Sequence, residues 1–499
     1  MTLLQADKPL TRARLDQSQT PFLDSLLVEK QRWQTSFHMP GHKGTLPPSP
    51  KLVEYWGGDI HAADLVEING IIDYLHAPKG ALLEAQRLAA DAHGADHTFF
   101  LINGSTVGNI TSIMATCLDG DRVIMPRASH RSVYRGVVLS GAIPIYVEPD
   151  YIPEIGFPLA TSAEAVARLL RRHSGVKAVH ITSPNYYGYL SDTAAIAQLA
   201  HAADAALCVD EAHGSHLAFH PALPASAVAL GADIVIQSTH KTQSALTQGS
   251  MLHVNEGRVN VARVGQILAL LQTSSPSSII LASIDAARHF SATQGEALLE
   301  RALRLAQMAR AEIRTMEGLW CYGEDLVGRG GIFSYDPTKL VVRVRETGLS
   351  GFQFYDRLRY DHGIDGEFAD RSHVIFSITM GGTEASVEKL LRALRSMARC
   401  SAADAPAAEA EVSLPTGLPA MAMTPREAYY AASRSVSFDQ AAGHISAENL
   451  IPYPPGIPLV VPGERIEQVH LDYLRYIRSI GGGIVGPEDK TLATVRVVC

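Results

Sequence analysis

Short apolar runs alternate with helical patterns over residues 97–254. Each run is continuously apolar, which is typical of strands buried on both faces of a mostly parallel sheet. Helical patterns between the runs fit crossover helices that cover the sheet. The six runs span residues 97–102, 122–125, 143–147, 178–181, 206–209 and 233–236. The pattern therefore predicts an α/β fold for this part of the chain.

The pattern changes after residue 284. Residues 286–314 are helical in pattern, and short strands around 339–345 and 374–379 predict a smaller α+β unit. The prolines within 451–458 exclude a regular helix or a central strand there. We predict an N-terminal arm (1–35), a large domain (36–290), a small α+β domain (291–399), a linker or surface excursion rich in Ala, Pro and Glu (400–425) and a C-terminal domain (426–499).

Composition limits the class of protein. The 499 residues are 46% hydrophobic and 19% charged, with a formal net charge of −8, which fits a globular protein of two or three packed units and argues against broad nucleic-acid binding. No apolar run approaches the roughly 18 residues of a membrane span, and the polar opening does not resemble a signal peptide. The five cysteines are scattered without CxxC spacing, so we expect a reduced, cytoplasmic location and no metal site.

The strongest local signal is the sequence STHK at 238–241, directly after a buried strand. A lysine at the carboxyl end of a parallel sheet is well placed to form a Schiff base with an aldehyde cofactor. Ser238 and His240 could bind a phosphate beside Lys241. A surface lysine after a strand is the alternative explanation for this motif alone.

Three further features follow other predicted strands. Asp210 ends the strand before the sequence EAHG and could keep a pyridine nitrogen protonated, although helix capping or metal binding is as plausible for an isolated aspartate. The turn NGSTVGN at 103–109 precedes a helix, so Ser105 and Thr106 could bind an anion or simply cap that helix. His130 could stack on a cofactor ring or be structural.

All four features lie just past the carboxyl ends of predicted parallel strands, where open α/β sheets bind their ligands. Their joint occurrence is much more specific than any one of them. Together they indicate one site that holds a phosphorylated aldehyde cofactor.

With these motifs in place, the chain resembles the Orn/Lys/Arg decarboxylase family of fold type I pyridoxal-phosphate enzymes, and in particular its short, arginine decarboxylase-like members. The expected fold is aspartate aminotransferase-like, with a mostly parallel sheet domain and smaller α+β C-terminal domains. Only about 35 residues precede the first motif, so we expect no amino-terminal wing domain. The matching segments are 37–44 (FHMPGHKG), 64–80, 103–109, 210–214 (DEAHG), 238–241, 271–277 (LQTSSPS) and 451–462.

The resemblance implies a role for each matching residue. Lys241 would form the internal aldimine with pyridoxal 5′-phosphate, Asp210 would pair with the pyridine nitrogen, and His130 would stack on the ring. His213 would flank the ring. The implied phosphate ligands are Ser105, Thr106, Ser238 and His240.

The implied reaction is decarboxylation of a basic L-amino acid through a quinonoid, with arginine favoured over lysine or ornithine. The product would be an amine of the polyamine pathway, and Lys241 or His240 would return the proton to Cα. The distal cation of the substrate needs an anionic or carbonyl-lined pocket. The candidate carboxylates for this pocket are Asp365, Glu367, Glu448 and Glu464.

The resemblance also implies an active site shared between subunits of a homodimer or a higher homo-oligomer. The segment expected to cross the interface contains Thr273, Ser274, Ser275 and Ser277. Two other functions remain open at this stage. One is a pyridoxal-phosphate aminotransferase, lyase or oxidase that acts on a related amino acid. The other is a non-catalytic regulatory paralogue, which the intact Lys241, Asp210 and His130 argue against.

Overall fold

The large unit is built around a seven-stranded sheet. The computed structural model describes residues 14–32, 35–67, 72–398, 415, 417–453 and 456–499, so most of the predicted linker lies outside the described residues. The strands of this unit are β1 (His97–Leu101), β2 (Arg122–Pro126), β3 (Ile143–Val147), β4 (Val176–Thr182), the short β5 (Tyr189–Leu190), β6 (Ala206–Asp210), β7 (Ile234–Gln237) and β8 (Ser250–Val254).

The strand order in the sheet is β1-β8-β7-β6-β4-β2-β3. Only β8 runs antiparallel to its neighbours, β1 and β7. The remaining strands are parallel, which confirms the predicted mostly parallel α/β sheet. All six predicted apolar runs form strands of this sheet.

Helices cover both faces of the sheet, as continuous apolar strands require. Those of the large unit are α1 (Pro21–Gln31), α2 (Pro50–Trp56), α3 (Ile60–Ala63), α4 (Ala81–His93), α5 (Gly104–Thr116), α6 (Arg131–Ser140), α7 (Ala163–Arg172), α8 (Thr193–Ala202), α9 (Thr239–Thr242) and α10 (Val261–Leu271). The next helix, α11 (Ser278–Ile313), continues without a break past the predicted domain boundary at 290. Its N-terminus is capped by Ser277, whose Oγ accepts a hydrogen bond from the Ile280 N–H.

The small unit packs against the C-terminal half of α11. Its four-stranded antiparallel sheet has the order β12-β13-β11-β9, and its core includes Leu305, Val342, Phe354 and Leu394. The elements are β9 (Trp320–Tyr322), β10 (Ser334–Tyr335), β11 (Lys339–Arg343), α12 (Gly351–His362), β12 (Phe368–Ala369), β13 (His373–Ser377) and α13 (Glu384–Ala398). The short β10 pairs with β5 and so joins the small unit to the large one.

The C-terminal unit has two short two-stranded sheets, β14–β17 and β15–β16. Pro452 is tolerated in β15 because, among the described residues, that strand pairs with a single strand, β16. The elements are α14 (Pro425–Tyr430), β14 (Ser433–Ser437), β15 (Ile451–Tyr453), α15 (Gln468–Ser479), β16 (Gly483–Val485) and β17 (Thr494–Val498). Among the described residues, no helix combines the length and apolar character that a membrane span needs.

Helix α5 approaches the sheet closely at Gly108. A Cβ atom placed there would lie 2.7 Å from Cγ2 of Ile236 on β7, the strand that leads to Lys241. The absence of a side chain at this position therefore sets the spacing between α5 and β7.

We predict that Gly108→Ala destabilises the protein by about 1–3 kcal/mol because the added methyl group overpacks against Ile236. The matched control is Gly265→Ala in α10, where the nearest atom would lie 3.6 Å from the added Cβ. That change is expected to stabilise by roughly 0.5–1 kcal/mol, since alanine favours a helix over glycine. Urea unfolding of both variants measures the difference, and equal midpoints would contradict the close packing at Gly108.

Candidate active site

The carboxyl ends of four parallel strands converge on one site. The turn after β1 begins α5 with Gly104, Ser105 and Thr106, and the loop after β2 carries His130. Asp210 is the last residue of β6, and Lys241 lies on α9 directly after β7. The structure therefore brings together the four features that the sequence predicted at this edge.

Lys241 is exposed as a residue, and its amine makes a partly buried contact with His213. Its Nζ lies 3.1 Å from Nε2 of His213. Burial lowers the pKa of Lys241, while the carboxylates of Asp210 and Glu367 act in the opposite direction. A lysine with a lowered pKa is more often in the free amine form, which is the nucleophile.

Asp210 is held by two hydrogen bonds at the end of β6. Its Oδ2 accepts from Nδ2 of Asn109 at 2.7 Å, and its Oδ1 accepts from the backbone N–H of Ala212 at 3.1 Å. Burial raises the pKa of Asp210, and Lys241 and Asn109 oppose that rise. Asn109 was not predicted as a site residue. Its position four residues after Ser105, and so on the same face of α5, is the sequence signal that could have identified it.

A cavity of about 270 Å³ lies between the start of α5 and α9. At one end the hydroxyls of Ser105 and Ser238 are 2.7 Å apart. His240 contacts the carbonyl oxygen of Gly249 through Nδ1 at 2.8 Å. The walls of the cavity include Asn103, Gly104, Ser105, Thr106, Asn109, His130, Thr182, Asp210, Ser238, His240 and Lys241.

His130 lies on the wall shared by this cavity and a larger one. Its Nδ1 contacts the hydroxyl of Ser132 at 2.7 Å, which fixes the ring at the start of α6. Burial and the nearby Lys241 lower the pKa of His130 to about 3. The ring is therefore neutral near pH 7, and a neutral ring is suited to stacking.

The larger cavity has a volume of about 640 Å³ and opens beside Lys241. All three units contribute to it. The large unit supplies His130, Arg131, Tyr186, His213 and Lys241, the small unit Lys339, Asp365, Glu367 and Ser377, and the C-terminal unit Ile451, Tyr453, Gly456 and Val485.

Two of the four predicted substrate carboxylates line the larger cavity. Asp365 is exposed and forms a surface ion pair with Arg359 at 3.1 Å. Glu367 is instead paired with the buried Lys339, which sequence reasoning missed. Burial opposes the ionisation of Glu367, but Lys339 and His213 hold its pKa well below its usual range.

The other two predicted carboxylates do not reach either cavity, so their predicted substrate role is corrected. Glu464 is fully buried and accepts from the guanidinium of Arg127 at 2.6 Å and 2.7 Å. Glu448 accepts from the backbone N–H groups of Glu488 and Arg496 at 2.7 Å and 2.9 Å. Glu464 thus joins the C-terminal unit to the large unit, and Glu448 makes its contacts within the C-terminal unit.

The predicted interface segment lies outside both cavities. Thr273, Ser274 and Ser275 are exposed, and the carbonyl oxygen of Thr273 contacts Nε2 of His76 at 2.9 Å. Their role at a subunit interface stays a prediction. In the part of the chain that the structure describes, no cluster of three His, Cys, Asp or Glu side chains could hold a metal ion.

The Arg127–Glu464 pair gives a testable consequence. We predict that Arg127→Met lowers the free energy of unfolding by about 3–5 kcal/mol, because it leaves the Glu464 carboxylate buried without its cation. The control is Arg304→Met, whose partner Glu384 lies 2.9 Å away on the surface and whose loss is expected to cost about 0–1 kcal/mol. Urea unfolding compares the two. Similar small effects would show that Glu464 tolerates the loss of Arg127.

Two family models together match most of the sequence. The model of the Orn/Lys/Arg decarboxylase major domain matches residues 20–386, and the model of the C-terminal domain of the same family matches residues 408–489. Among solved structures, lysine decarboxylase A from Pseudomonas aeruginosa superposes with a TM-score of 0.81 over 96% of this chain and 80% of its own, at 24% sequence identity. That likeness confirms the fold.

Relatives of similar length have higher sequence identity. An arginine decarboxylase of Bacillus anthracis is 40% identical over 97% of this chain and 98% of its own length. An arginine decarboxylase of Bacillus subtilis (strain 168) is 39% identical over 97% of this chain and 99% of its own. With both domains of the family matched in order, the chain is a member of the Orn/Lys/Arg decarboxylase family of amino-acid decarboxylases.

Proposed function

We propose that this decarboxylase acts on L-arginine and uses pyridoxal 5′-phosphate as its cofactor. The observation that carries the proposal is the position of Lys241, which lines both cavities where they meet. The smaller cavity has the size and the polar groups for a phosphorylated pyridine ring. The larger cavity leaves room beside the amine for an amino acid.

The residues of the smaller cavity fit the cofactor at both of its ends. The first N–H groups of a helix have no partner within the helix, so the start of α5 at Ser105 and Thr106 suits a phosphate. Ser238 and His240 complete that end. At the other end Asp210 faces the cavity, where Asn109 Oδ1 and Thr182 Oγ1 are buried without a hydrogen-bond partner among the described residues. Buried polar atoms of this kind indicate a missing polar ligand.

The cofactor, when bound, supplies an electron sink for the electron pair of the bond between Cα and the carboxylate. Asp210 would hold a proton between its carboxylate and the pyridine nitrogen. Asn109 orients that carboxylate by donating to Oδ2, and Ala212 fixes Oδ1. His130 would pack against the ring as a neutral imidazole.

Lys241 has two tasks in this proposal. As a free amine it would bind the cofactor aldehyde, and as an ammonium it would deliver a proton from Nζ to Cα after the carboxylate has left. His240 is the alternative proton donor, but its Nδ1 already contacts the carbonyl oxygen of Gly249. Because a carbonyl oxygen only accepts, Nδ1 carries the hydrogen of a neutral His240 and Nε2 has none to give, which favours Lys241 as the acid.

Asp365 is the residue that we propose for the distal cation of the substrate. The other cavity carboxylate of the small unit, Glu367, is held by the buried Lys339, whereas the ion pair of Asp365 with Arg359 is exposed and contributes little. A carboxylate can accept two parallel hydrogen bonds from a guanidinium, which favours arginine over the ammonium of lysine or ornithine. The names of the Bacillus anthracis and Bacillus subtilis relatives support arginine as well.

We further propose that the enzyme works in the cytoplasm, in polyamine biosynthesis, and as a homodimer or higher homo-oligomer. The large side chains of Phe37, Tyr55 and Trp56 are exposed on one chain, as is the segment containing Thr273. Exposed apolar surface of this kind is typical of a protein interface. A partner subunit that covers it would support an active site shared between subunits.

We predict that the purified protein with added pyridoxal phosphate releases carbon dioxide from L-arginine and forms agmatine, with slower or no release from L-lysine and L-ornithine. Lys241→Ala should abolish the release because it removes the amine, whereas Lys177→Ala at an exposed position should leave it unchanged. Carbon dioxide and amine products measure the outcome. No release from any of the three substrates would refute the proposed reaction.

A second prediction concerns substrate recognition. Asp365→Asn should raise KM for arginine about tenfold, because a charge-assisted contact of roughly 1.4 kcal/mol is lost while kcat stays similar. The matched control is Asp361→Asn, which is exposed at the end of α12 and lines neither cavity. Steady-state kinetics of both variants test the assignment, and an unchanged KM for Asp365→Asn would assign the distal cation to other groups.

A further inference from the structure

His213 contacts three charged groups, and each comes from a different element. Its Nε2 lies 3.1 Å from Nζ of Lys241 on α9. Its Nδ1 lies 3.2 Å from Oε1 of Glu367, which precedes β12, and 3.4 Å from Nζ of Lys339 on β11. One ring nitrogen therefore faces the proposed catalytic amine, and the other faces an ion pair of the small unit.

The two groups at Nδ1 have opposite hydrogen-bonding properties. An ionised carboxylate only accepts hydrogen bonds, and a lysine ammonium only donates them. A neutral imidazole carries one N–H and one free lone pair, and it has two tautomers. If the hydrogen is on Nδ1, it can be donated to Glu367, and if it is on Nε2, the Nδ1 lone pair can accept from Lys339. Both tautomers of His213 thus have a partner in place.

We propose that Lys339 and Glu367 are positioning residues that let His213 keep its hydrogen bond to Lys241 in both charge states of the amine. With Lys241 as an ammonium, Nζ donates to Nε2 and Nδ1–H donates to Glu367. With Lys241 as a free amine, Nε2–H donates to Nζ and Nδ1 accepts from Lys339. The imidazole carries one N–H proton in both states, so the only net proton change is at Lys241.

The surroundings keep the imidazole neutral, as this arrangement requires. Burial, followed by the charges of Lys241 and Lys339, lowers the pKa of His213 to about 3. The other titratable groups near the ring are Tyr186, at a centroid distance of 5.6 Å, and His130. Lys339 is 3% exposed and is bound by Glu367 and by the hydroxyl of Ser377, so the buried cation has its partners.

The inference rests on the proposed function of Lys241 as the amine that alternates between nucleophile and acid. It adds that two residues of the small unit affect the hydrogen bond of this amine through His213, without contacting the amine directly. Since both Nδ1 partners belong to the small unit, the docking of that unit on the large one sets the hydrogen bonds available to Lys241. The pair also explains why Glu367, although it lines the larger cavity, is not free to bind a substrate cation.

The tautomer of His213 can be measured in the full-length protein without cofactor. We propose to label the histidines with ¹⁵N and to follow the ring nitrogens by solid-state NMR over a pH series, with His213→Phe identifying the resonances. The expected result is a change from the Nδ1–H to the Nε2–H tautomer as Lys241 loses its proton with rising pH. In Lys241→Met the change should disappear. A single tautomer at every pH in the wild-type protein would overturn the proposal.

Two variants test the partners separately. Lys339→Met leaves only the acceptor at Nδ1 and should hold the Nδ1–H tautomer at every pH. Glu367→Leu leaves only the donor and should hold the Nε2–H tautomer. With cofactor and arginine, both should lower kcat about tenfold with KM little changed, because neither removes a proposed substrate contact. If both variants show the same tautomers as the wild-type protein at every pH, Lys339 and Glu367 have only a structural role.

The wild-type titration decides the proposal even if a variant with one unpaired buried charge fails to fold. It also separates this inference from the proposed function. A coupled tautomer change without decarboxylation of any basic amino acid would refute the reaction and keep the hydrogen-bond arrangement. Decarboxylation with a single fixed tautomer would support the reaction and refute the role of the Lys339–Glu367 pair.

Discussion

The balance of charge around the Lys241 amine is the constraint on which the arrangement of the site depends. A cation that has lost part of its hydration is unfavourable, so nearby carboxylates must balance the amine or it loses its proton more readily. The negative charges of Asp210 and Glu367 raise the pKa of the amine, and the positive charge of Lys339 in the small unit lowers it. The result is an amine whose pKa lies below its usual range, which favours a residue that acts both as nucleophile and as acid.

Buried polar contacts fasten the three units together around this amine. The hydroxyl of Tyr187 in the large unit donates to Asp370 of the small unit at 2.8 Å. The guanidinium of Arg127 joins the large unit to the C-terminal one through Glu464 and through the carbonyl oxygens of Pro458 and Leu459. Such contacts are costly to break, so the walls of the larger cavity are held in a fixed relation to Lys241.

Much of the large unit could be predicted from the sequence because continuous apolar strands and the residues that follow them are local signals. One edge of the sheet holds Lys241, Asp210, His130 and Ser105. Each lies at or just after the carboxyl end of a strand, as the sequence pattern predicted. The antiparallel direction of β8 and the continuation of α11 through residue 290 depend on tertiary packing, which no local pattern contains. For the same reason the sequence could not separate Asp365 from Glu464, since the role of a carboxylate depends on its partner. Lys339 was not predicted because the sequence around a lysine in a strand does not show which surface that strand packs against.

The central claim is that Lys241 is the amine that binds the cofactor aldehyde. The most direct test is to treat the protein with pyridoxal phosphate, reduce it with borohydride, digest it and locate the pyridoxyl group by mass spectrometry. We expect the group on the peptide that contains Lys241 and on no other. A pyridoxyl group on Lys339, the other lysine of the larger cavity, or no defined site of attachment, would contradict the account.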